Sequence, residues 1–490
     1  ISDDYRYEIG LTPNRADAAS HLGVARDIAG YFRTAYKQAD VSAFQAGSSV
    51  KTEVQVLATE AAPRYSGVSI DGVEVKESPA WLKEKLQVIG VRPINNIVDA
   101  TNYILHDLGQ PLHAFDADKI AGNKIMVRLA TEGEEMVTLD GQARKLSAED
   151  LVIADAEKPM CIAGVFGGSH AGVSAETKNI FLESAYFNAV SVRKTSKRHN
   201  LKTDSSFRYE RGTDPNITVY ALQKAALLIQ EIAGGVISSS VTDVYPVPVQ
   251  PFAFTVNYAN VQRLIGQEIP AAEIRSIISS LGIAIVAEDA EQLSVEVPAF
   301  KVDVTREVDV IEEVLRIYGY NNIALKPQIK SSLNTTEKPD KEAVLNQIAD
   351  LLIANGFREI LSNSLTKLAY VDNEEQAVRL LNPLSSDLDT MRQNLLFSAL
   401  TAVSYNQKRR SVNLKFFEYG KSYFKLAEGY QERQNMALCM TGNVSEEQWQ
   451  GAEQKQSFFH LKSAVDRIIG RLHIPGLQIV EPENSYFDYG

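Results

Sequence analysis

The sequence lacks the features that would place it in a membrane, a secretory pathway or a zinc-binding class. No apolar run reaches the roughly 20 residues that a membrane-spanning helix needs, and the start has no signal-peptide pattern. The chain has two cysteines, Cys161 and Cys439, which lie far apart and share no metal-ligand spacing. We therefore predict a reduced, cytoplasmic setting without a membrane.

Signatures of several common enzyme classes are also missing. The chain has no GxSxG, HExxH or CxxC motif, so serine hydrolases of the elbow type and zinc enzymes have little support. The formal net charge of −12 argues against a protein that coats nucleic acid non-specifically, although it leaves room for a local basic site. At 490 residues the chain is long enough for roughly three or four domains.

Strand and helix patterns predict an α+β, multidomain protein. The proline-rich stretch at 244–251, VYPVPVQP, is the clearest boundary between domains. The chain begins without Met and stops at Gly490 without a closing element, so we expect a fragment of a longer polypeptide. We predict an N-terminal helical segment, a mixed α/β domain, a small helix–strand domain and an antiparallel-sheet domain, at residues 1–50, 51–245, 252–322 and 323–490.

Residues 96–116, NIVDATNYILHDLGQPLHAFD, mix polar groups with apolar residues, and Gly109-Gln110-Pro111 interrupts them. One interpretation is a pocket wall in which a few polar groups face a cavity. The other is a helix and a turn with well-satisfied core polar residues. The polar members are Asn96, Asp99, Thr101, Asn102, His106, His113 and Asp116.

A basic stretch stands out in the acidic chain at residues 191–212, SVRKTSKRHNLKTDSSFRYERG. Two acidic residues, Asp204 and Glu210, oppose its seven cations. A solvated surface explains such a stretch, but Phe207 and Tyr209 make contact with a phosphate backbone a fair rival interpretation. The cations are Arg193, Lys194, Lys197, Arg198, Lys202, Arg208 and Arg211.

Residues 301–320, KVDVTREVDVIEEVLRIYGY, predict an acidic amphipathic helix. Asp309, Glu312 and Glu313 stand at i, i+3 and i+4 and share one face, while Asp303 approaches from the preceding loop. Clustered carboxylate oxygens suit Mg²⁺, whereas an acidic first turn favoured by the helix dipole is the alternative. The predicted apolar stripe consists of Val304, Val308, Ile311, Leu315 and Tyr318.

Residues 161–187 contain CIAGVFGGSHAGVS followed by IFLESAYF. Glycines such as Gly167 and Gly168 let backbone amides approach a ligand or build tight turns, but no GK[ST] follows as in a phosphate-binding loop. Glu183 falls at the end of a predicted apolar strand. It is either a site residue that bonds a ligand or a satisfied residue at the strand edge.

Several of these segments together resemble the β subunit of bacterial phenylalanine–tRNA ligase. RPINNIVDATNYILHDLGQPLHAFD, GVFGG, LESAYF, RHNLKTDSSFRYERGTDP and REVDVIEEVLRIYGY occur in the order of that family, followed by LNPLSSDLDTMRQNLL and FFEYGKSY. The resemblance covers essentially the whole chain. It implies an oligonucleotide-binding-fold domain before residue 1 and an anticodon-binding domain after residue 490.

The resemblance implies that residues 51–245 form an editing domain, which hydrolyses tyrosine wrongly esterified to the phenylalanine tRNA. Glu183 would hold the tyrosine hydroxyl, and His113 with Thr101 and Asn102 would position the ester and a water without any one of them being fixed as general base. The pocket's remaining residues would be Gly167, Gly168, Thr203 and Ser205. Many relatives have Ala at the position of Ser205, so its hydroxyl could alter the strictness of editing.

The resemblance also makes Asp303, Asp309, Glu312 and Glu313 ligands of Mg²⁺. Residues 323–490 would resemble a class II synthetase core without activity, and no convincing ATP-binding arginine set occurs there. An α subunit would bind ATP and phenylalanine in an α2β2 heterotetramer that acts on tRNA(Phe). The alternatives are a scaffold and tRNA-binding subunit that does not edit and, more remotely, a stand-alone magnesium-dependent hydrolase.

Overall fold

The computed structural model of the chain describes residues 4–324, 328, 331–332, 340–445 and 447–476. Two compact units divide the chain at residues 329 and 330. Most of the polar connector expected after Asn322, and the expected unstructured end at Gly490, lie outside the described residues. None of the described helices is long and apolar enough to cross a membrane.

The first unit contains nine α-helices within its described part and fifteen strands. The helices are α1 (His21–Phe32), α2 (Ala80–Val88), α3 (Asn96–Leu108), α4 (Ala189–His199), α5 (Asp204–Tyr209), α6 (Thr218–Ala233), α7 (Tyr258–Ile265), α8 (Ala271–Ser280) and α9 (Glu307–Tyr318). The strands are β1 (Glu53–Val56), β2 (Arg64–Asp71), β3 (Leu112–Asp116), β4 (Lys124–Leu129), β5 (Glu135–Val137), β6 (Ala143–Lys145), β7 (Leu151–Ala154), β8 (Pro159–Ile162), β9 (Phe166–Gly167), β10 (Asn179–Tyr186), β11 (Val236–Ile237), β12 (Thr242–Val244), β13 (Phe252–Asn257), β14 (Ala284–Glu288) and β15 (Gln292–Val297).

A central sheet with the order β11-β2-β10-β3 organises residues 51–245, and β12 also pairs with β2. Because side chains alternate along a strand, this sheet buries two different faces. On one face Val68, Ile70 and Leu182 pack with apolar residues of α3 and α6. On the other, Phe115 and Phe181 pack with the sheet of order β1-β4-β7-β8-β9.

The predicted helix in residues 96–116 is confirmed as α3, and the break at Gly109-Gln110-Pro111 separates it from strand β3. The Asn95 side chain accepts hydrogen bonds from the backbone N–H groups of Ile97 and Val98, which begins the helix. Gly109 ends it with φ of 77°, a conformation that favours glycine. This arrangement places the helix on one face of the sheet and leads the chain directly into the sheet's edge strand β3.

Residues 252–323 have a core of their own, built from the antiparallel sheet β13-β15-β14 and three helices. Helix α8 follows Pro270, and Leu293, Val295 and Val297 are the buried residues of β15. Most of the stripe predicted for α9 packs in this core, because Ile311 is buried and Val304, Leu315 and Tyr318 pack against it, whereas Val308 is 45% exposed. The buried positions of α9 are Val310, Ile311, Glu313, Val314 and Ile317.

The second unit is built on one long antiparallel hairpin. Its helices are α10 (Lys341–Ala354), α11 (Leu396–Gln407) and α12 (Phe458–Leu472), and its strands are β16 (Arg358–Glu359), β17 (Leu365–Thr366), β18 (Thr390–Met391), β19 (Leu414–Leu426), β20 (Gly429–Thr441), β21 (Asn443–Ser445) and β22 (Gln454–Lys455). β19 pairs with β20 along 13 residues, and Ile348, Phe417 and Ile468 form the core. The α+β, multidomain class is confirmed, while the division into four domains stays a prediction.

Candidate functional site

The central sheet brings His113 and Glu183 together. His113 on β3 lies directly opposite Glu183 on β10, so their side chains project from the same face of the sheet. Phe115 and Phe181 form the next pair along this face and are buried. Glu183 is 4% exposed, and its Oε2 atom has no hydrogen-bond partner among the described residues. The predicted pair is therefore one buried polar niche in an apolar surrounding.

Burial leaves both side chains of this pair without charge at neutral pH. It raises the pKa of Glu183 to about 8, because a carboxylate loses its hydration in the core. It lowers the pKa of His113 to about 4 for the same reason, since imidazolium is the charged form of that side chain. At pH 7 the niche thus offers a neutral carboxylic acid, which donates and accepts hydrogen bonds, beside a neutral imidazole.

The glycine-rich loop closes over this niche. A Cβ atom on Gly167 would come within 2.9 Å of the Cε1 atom of His113, so only glycine lets the imidazole lie against this backbone. A Cβ atom on Gly168 would come within 2.5 Å of the carbonyl oxygen of Met160. Gly164 turns the chain with φ of 69°. The predicted role of these glycines, close backbone approach, fits this geometry.

Thr203 and Ser205 hold the loop from the other side. The Thr203 hydroxyl donates to the carbonyl oxygen of Val165 at 2.9 Å, and the Ser205 hydroxyl donates to that of Gly164 at 3.1 Å. Thr203 also caps α5 by accepting from the backbone N–H of Ser206. The added hydroxyl of Ser205 is therefore used within the chain, where it supports the turn of the glycine loop.

Thr101 and Asn102 lie on α3, which packs on the opposite face of the sheet from His113 and Glu183. The Thr101 hydroxyl donates to the carbonyl oxygen of Val98 in its own helix at 2.7 Å. The outer face of α3 borders a cavity of about 690 Å³ that neither His113 nor Glu183 lines. The structure does not bring these two residues into the niche, and their predicted role stays a prediction.

The sequence reasoning missed three buried polar residues around Glu183. The same core contains Tyr65, Cys161 and Tyr209. Burial raises the pKa of each of them, and the charge of Glu183 raises it further. The alternation of RYSGVSI places Tyr65 on one strand face. Only the pairing of β2 with β10 shows that this is the face of Glu183.

The basic stretch forms α4, α5 and the turns around them. Arg198 and His199 are held by the buried carboxylate of Asp150. Phe207 is 40% exposed, and the Arg211 guanidinium lies 3.8 Å from the centre of its ring. Three lysines are exposed and have no ion-pair partner among the described residues, namely Lys194, Lys197 and Lys202. Free cations beside an exposed aromatic ring suit single-stranded nucleic acid.

The four predicted magnesium ligands line one cavity of about 350 Å³ but have different partners. Glu313 accepts from Lys301 at 2.7 Å and from Arg316 at 3.0 Å. Burial opposes ionisation, yet these two cations hold the pKa of Glu313 at about 2. Asp309 accepts from Arg306, whose backbone N–H and guanidinium both donate to it.

The ion pairs of Glu313 continue into a half-buried network with the N-terminal segment. Arg316 also donates to Asp27 at 3.0 Å, and Arg15 joins Asp27 to Asp17. No group of three or more His, Cys, Asp or Glu side chains in the described chain is arranged to hold a metal ion. As placed, Asp309 and Glu313 do not fit Mg²⁺ ligation, because protein cations occupy their carboxylates. Magnesium ligation by the set stays a prediction.

Comparison with protein families assigns most of this chain to two models. Residues 61–234 match the B3/4 domain, and residues 284–490 match the phenylalanyl tRNA synthetase beta chain CLM domain. The first range contains the niche with His113 and Glu183. The second contains α9 with its carboxylates and the whole second unit.

Curated relatives share the full order of these segments. The chain is 48% identical to the phenylalanine–tRNA ligase beta subunit of Bacteroides fragilis strain YCH46, across 96% of this chain and 60% of that protein. It is 44% identical to that of Porphyromonas gingivalis strain W83 (97% and 60%) and 38% identical to that of Geobacter metallireducens (99% and 62%). The chain thus spans about 60% of the length of these relatives.

Among solved structures, an N-terminal fragment of the phenylalanyl-tRNA synthetase beta subunit from Pyrococcus horikoshii superposes with a TM-score of 0.33. That alignment has 17% identity and covers 63% of this chain and 85% of the fragment, a likeness too low to carry an argument. The family assignment rests on the sequence relatives and the two family models. The chain belongs to the family of phenylalanine–tRNA ligase β subunits.

Proposed function

We propose that this chain acts in phenylalanine–tRNA ligase, which attaches phenylalanine to tRNA(Phe) at the expense of ATP, and that it carries the hydrolytic editing of Tyr-tRNA(Phe). Family membership supports the ligase assignment. The observation that carries the editing assignment is the uncharged pair of buried Glu183 and half-buried His113 beneath the glycine loop.

The chemistry of this pair suits recognition of a phenol. A neutral Glu183 donates to, and accepts from, the one hydroxyl that distinguishes a tyrosyl ester from a phenylalanyl ester. A phenylalanyl ring would leave the buried carboxyl unpaired. The site therefore disfavours the phenylalanyl ester far more strongly than an apolar pocket could. Specificity therefore comes from a polar group that only the wrong amino acid satisfies.

His113 has the complementary role at the ester. As a neutral imidazole it accepts a proton from, or orients, an attacking water, and Gly167 leaves room for its ring against the loop backbone. Thr203 and Ser205 position that loop through their hydrogen bonds to its carbonyl groups. No single general base is assigned, and Thr101 and Asn102 enter only as predicted contacts.

The partners belong to the same proposal. An α subunit binds ATP and phenylalanine, the second unit gives an interface in an α2β2 assembly, and the free lysines of the basic stretch contact the tRNA acceptor end. The cytoplasm is the expected location. Mg²⁺ is best sought at Asp303 and Glu312, the exposed carboxylates of the set that have no ion-pair partner in the described chain.

The test is deacylation of Tyr-tRNA(Phe) by full-length β subunit assembled with the α subunit. Glu183→Ala, His113→Ala and Gly167→Ala should each lower the hydrolysis rate about 100-fold or more, with aminoacylation by phenylalanine unchanged. Glu176→Ala is the matched control, because this exposed carboxylate lies outside the niche. Unchanged hydrolysis in the Glu183 and His113 variants contradicts the editing assignment.

A scaffold and tRNA-binding subunit without editing is the second candidate. It is favoured by the position of Thr101 on the far face of the sheet and by the internal hydrogen bonds of the Thr203 and Ser205 hydroxyls. The same assay separates the two candidates. The scaffold is supported if the β subunit assembled with the α subunit attaches phenylalanine normally but does not hydrolyse Tyr-tRNA(Phe).

A further inference from the structure

A second buried polar group without a partner lies on the same sheet face as Glu183. Tyr65 on β2 is fully buried, and its hydroxyl has no hydrogen-bond partner among the described residues. A buried hydroxyl without a partner is costly, and phenylalanine would fill the same space without that cost. We therefore expect the hydroxyl to bond a hydrogen-bond partner that comes from outside the chain.

The strand register places Tyr65 beside the Glu183 carboxyl. Gly67 pairs with Glu183 and Tyr65 pairs with Ala185, so Tyr65 and Glu183 are diagonal neighbours on one face. Such neighbours are about 7–8 Å apart at the backbone, which is within reach of an aromatic side chain. Glu183 also raises the pKa of the Tyr65 hydroxyl, after burial, as expected for close groups.

Tyr209 shows by contrast what a structural tyrosine does in this core. It is as deeply buried as Tyr65, but its hydroxyl lies within hydrogen-bonding distance of the carbonyl oxygens of Pro111 and Ala185, at 3.2 and 3.0 Å. The amide of Gln110 donates to the same hydroxyl. Tyr209 thus connects α5 with β10 and with the residues just before β3, whereas the hydroxyl of Tyr65 makes no hydrogen bond within the described part of the chain.

We propose that the Tyr65 hydroxyl is a second specificity-determining partner, with Glu183, for the phenol oxygen of the tyrosyl ester. The inference rests on the proposed editing function. A phenol oxygen donates one hydrogen bond and accepts others, so it satisfies a carboxyl and a hydroxyl at the same time. A phenylalanyl ester leaves two buried groups unpaired instead of one, which sharpens the discrimination beyond that of Glu183 alone.

The test compares Tyr65→Phe with the natural sequence in the full-length β subunit assembled with its α subunit. We expect kcat/KM for deacylation of Tyr-tRNA(Phe) to fall about 10- to 100-fold, because one hydrogen bond to the phenol is lost. Hydrolysis of Phe-tRNA(Phe) should not fall, because that substrate never uses the hydroxyl. The preference for tyrosine over phenylalanine should drop by the same factor.

Thermal unfolding without tRNA separates recognition from a structural role. Tyr65→Phe should keep or raise the melting temperature, because it removes an unpaired buried hydroxyl, whereas Tyr209→Phe should lower it by breaking internal hydrogen bonds. Glu183→Ala, assayed in parallel, reports on editing itself. If Glu183→Ala impairs deacylation while Tyr65→Phe leaves the preference for tyrosine unchanged, the inference is overturned and the editing function stands. If neither variant changes deacylation, both are overturned.

Discussion

At the scale of single residues, the lack of charge in the niche decides which ligand it admits. Glu183 and His113 are both neutral at pH 7, because burial disfavours the charged form of each. A neutral phenol enters such a surrounding without losing an ionic hydration shell. A carboxylate or ammonium group placed directly beside these two side chains would lose its hydration without finding a counter-charge.

The raised pKa of Glu183 predicts a pH dependence of stability. The unfolded carboxyl ionises near pH 4.5, while the folded one keeps its proton up to about pH 8. Because the folded state binds the proton more tightly, the free energy of unfolding falls between these values, by roughly 1.4 kcal/mol per pH unit for this group. Glu183→Gln removes this contribution, so denaturant unfolding at pH 5 and pH 8 should show the variant gaining stability relative to the natural chain at pH 8.

The control for this pH series is Glu176→Gln, at an exposed position where the same substitution has no buried carboxyl to neutralise. Its free energy of unfolding should follow that of the natural chain across the series. A Glu183→Gln variant that does the same would show that Glu183 ionises normally in the folded protein.

At the scale of secondary-structure elements, α9 shows why an acidic face does not make a metal site. Glu312 and Glu313 are neighbours in sequence, but Glu312 is exposed and Glu313 is buried against Lys301. The side chains on a helix turn by about 100° per residue, so adjacent carboxylates meet different surroundings. One remains free for an ion, while the other fastens α9 to the N-terminal segment through Arg316 and Asp27.

Removing one partner of this network should be strongly destabilising. Glu313→Gln leaves the buried ammonium of Lys301 with only the more distant carboxylate of Asp17, at 3.6 Å, so the free energy of unfolding should fall by about 3 kcal/mol in a denaturant titration. Glu312→Gln is the matched control and should change it by less than about 0.5 kcal/mol. Equal effects of the two substitutions would contradict the network, and a loss that appears only with Mg²⁺ present would favour metal ligation by Glu313.

At the scale of the whole molecule, the chain consists of two compact units with separate cores. The niche, the basic stretch and the α9 network all lie in the first unit. The second unit stands on the β19–β20 hairpin, and Phe417 is fully buried where α10 and α12 cover it. The proposed editing site thus depends on the stability of one unit alone.

Calorimetry should therefore resolve two transitions. Phe417→Ala removes a buried ring and should cost about 3–5 kcal/mol, which lowers the melting temperature of one transition only. Leu182→Ala in the central sheet should lower the other, because Leu182 is fully buried in the first unit. A single transition that both substitutions shift equally would show that the units unfold together.

The sequence by itself determined the local elements of this protein. Apolar spacing and breakers such as Gly109 were enough to predict α3 and α9, because these signals act within a few residues. The sequence motifs also singled out His113 and Glu183, which the structure brings together. For α9 the periodicity predicted the helix and most of its packed face, but it wrongly included Val308 and could not show that Glu313 is buried, since burial is decided by neighbouring elements.

The tertiary structure alone decided which distant segments meet. The pairing of β2, β10 and β3 sets Tyr65 and His113 on either side of Glu183, and no local pattern encodes the register of strands so far apart in the chain. The tertiary structure also placed Thr101 on the opposite face of the sheet and paired Glu313 with Lys301. Burial and pairing are properties of the folded chain, so they, rather than residue type, separate the niche from its surroundings.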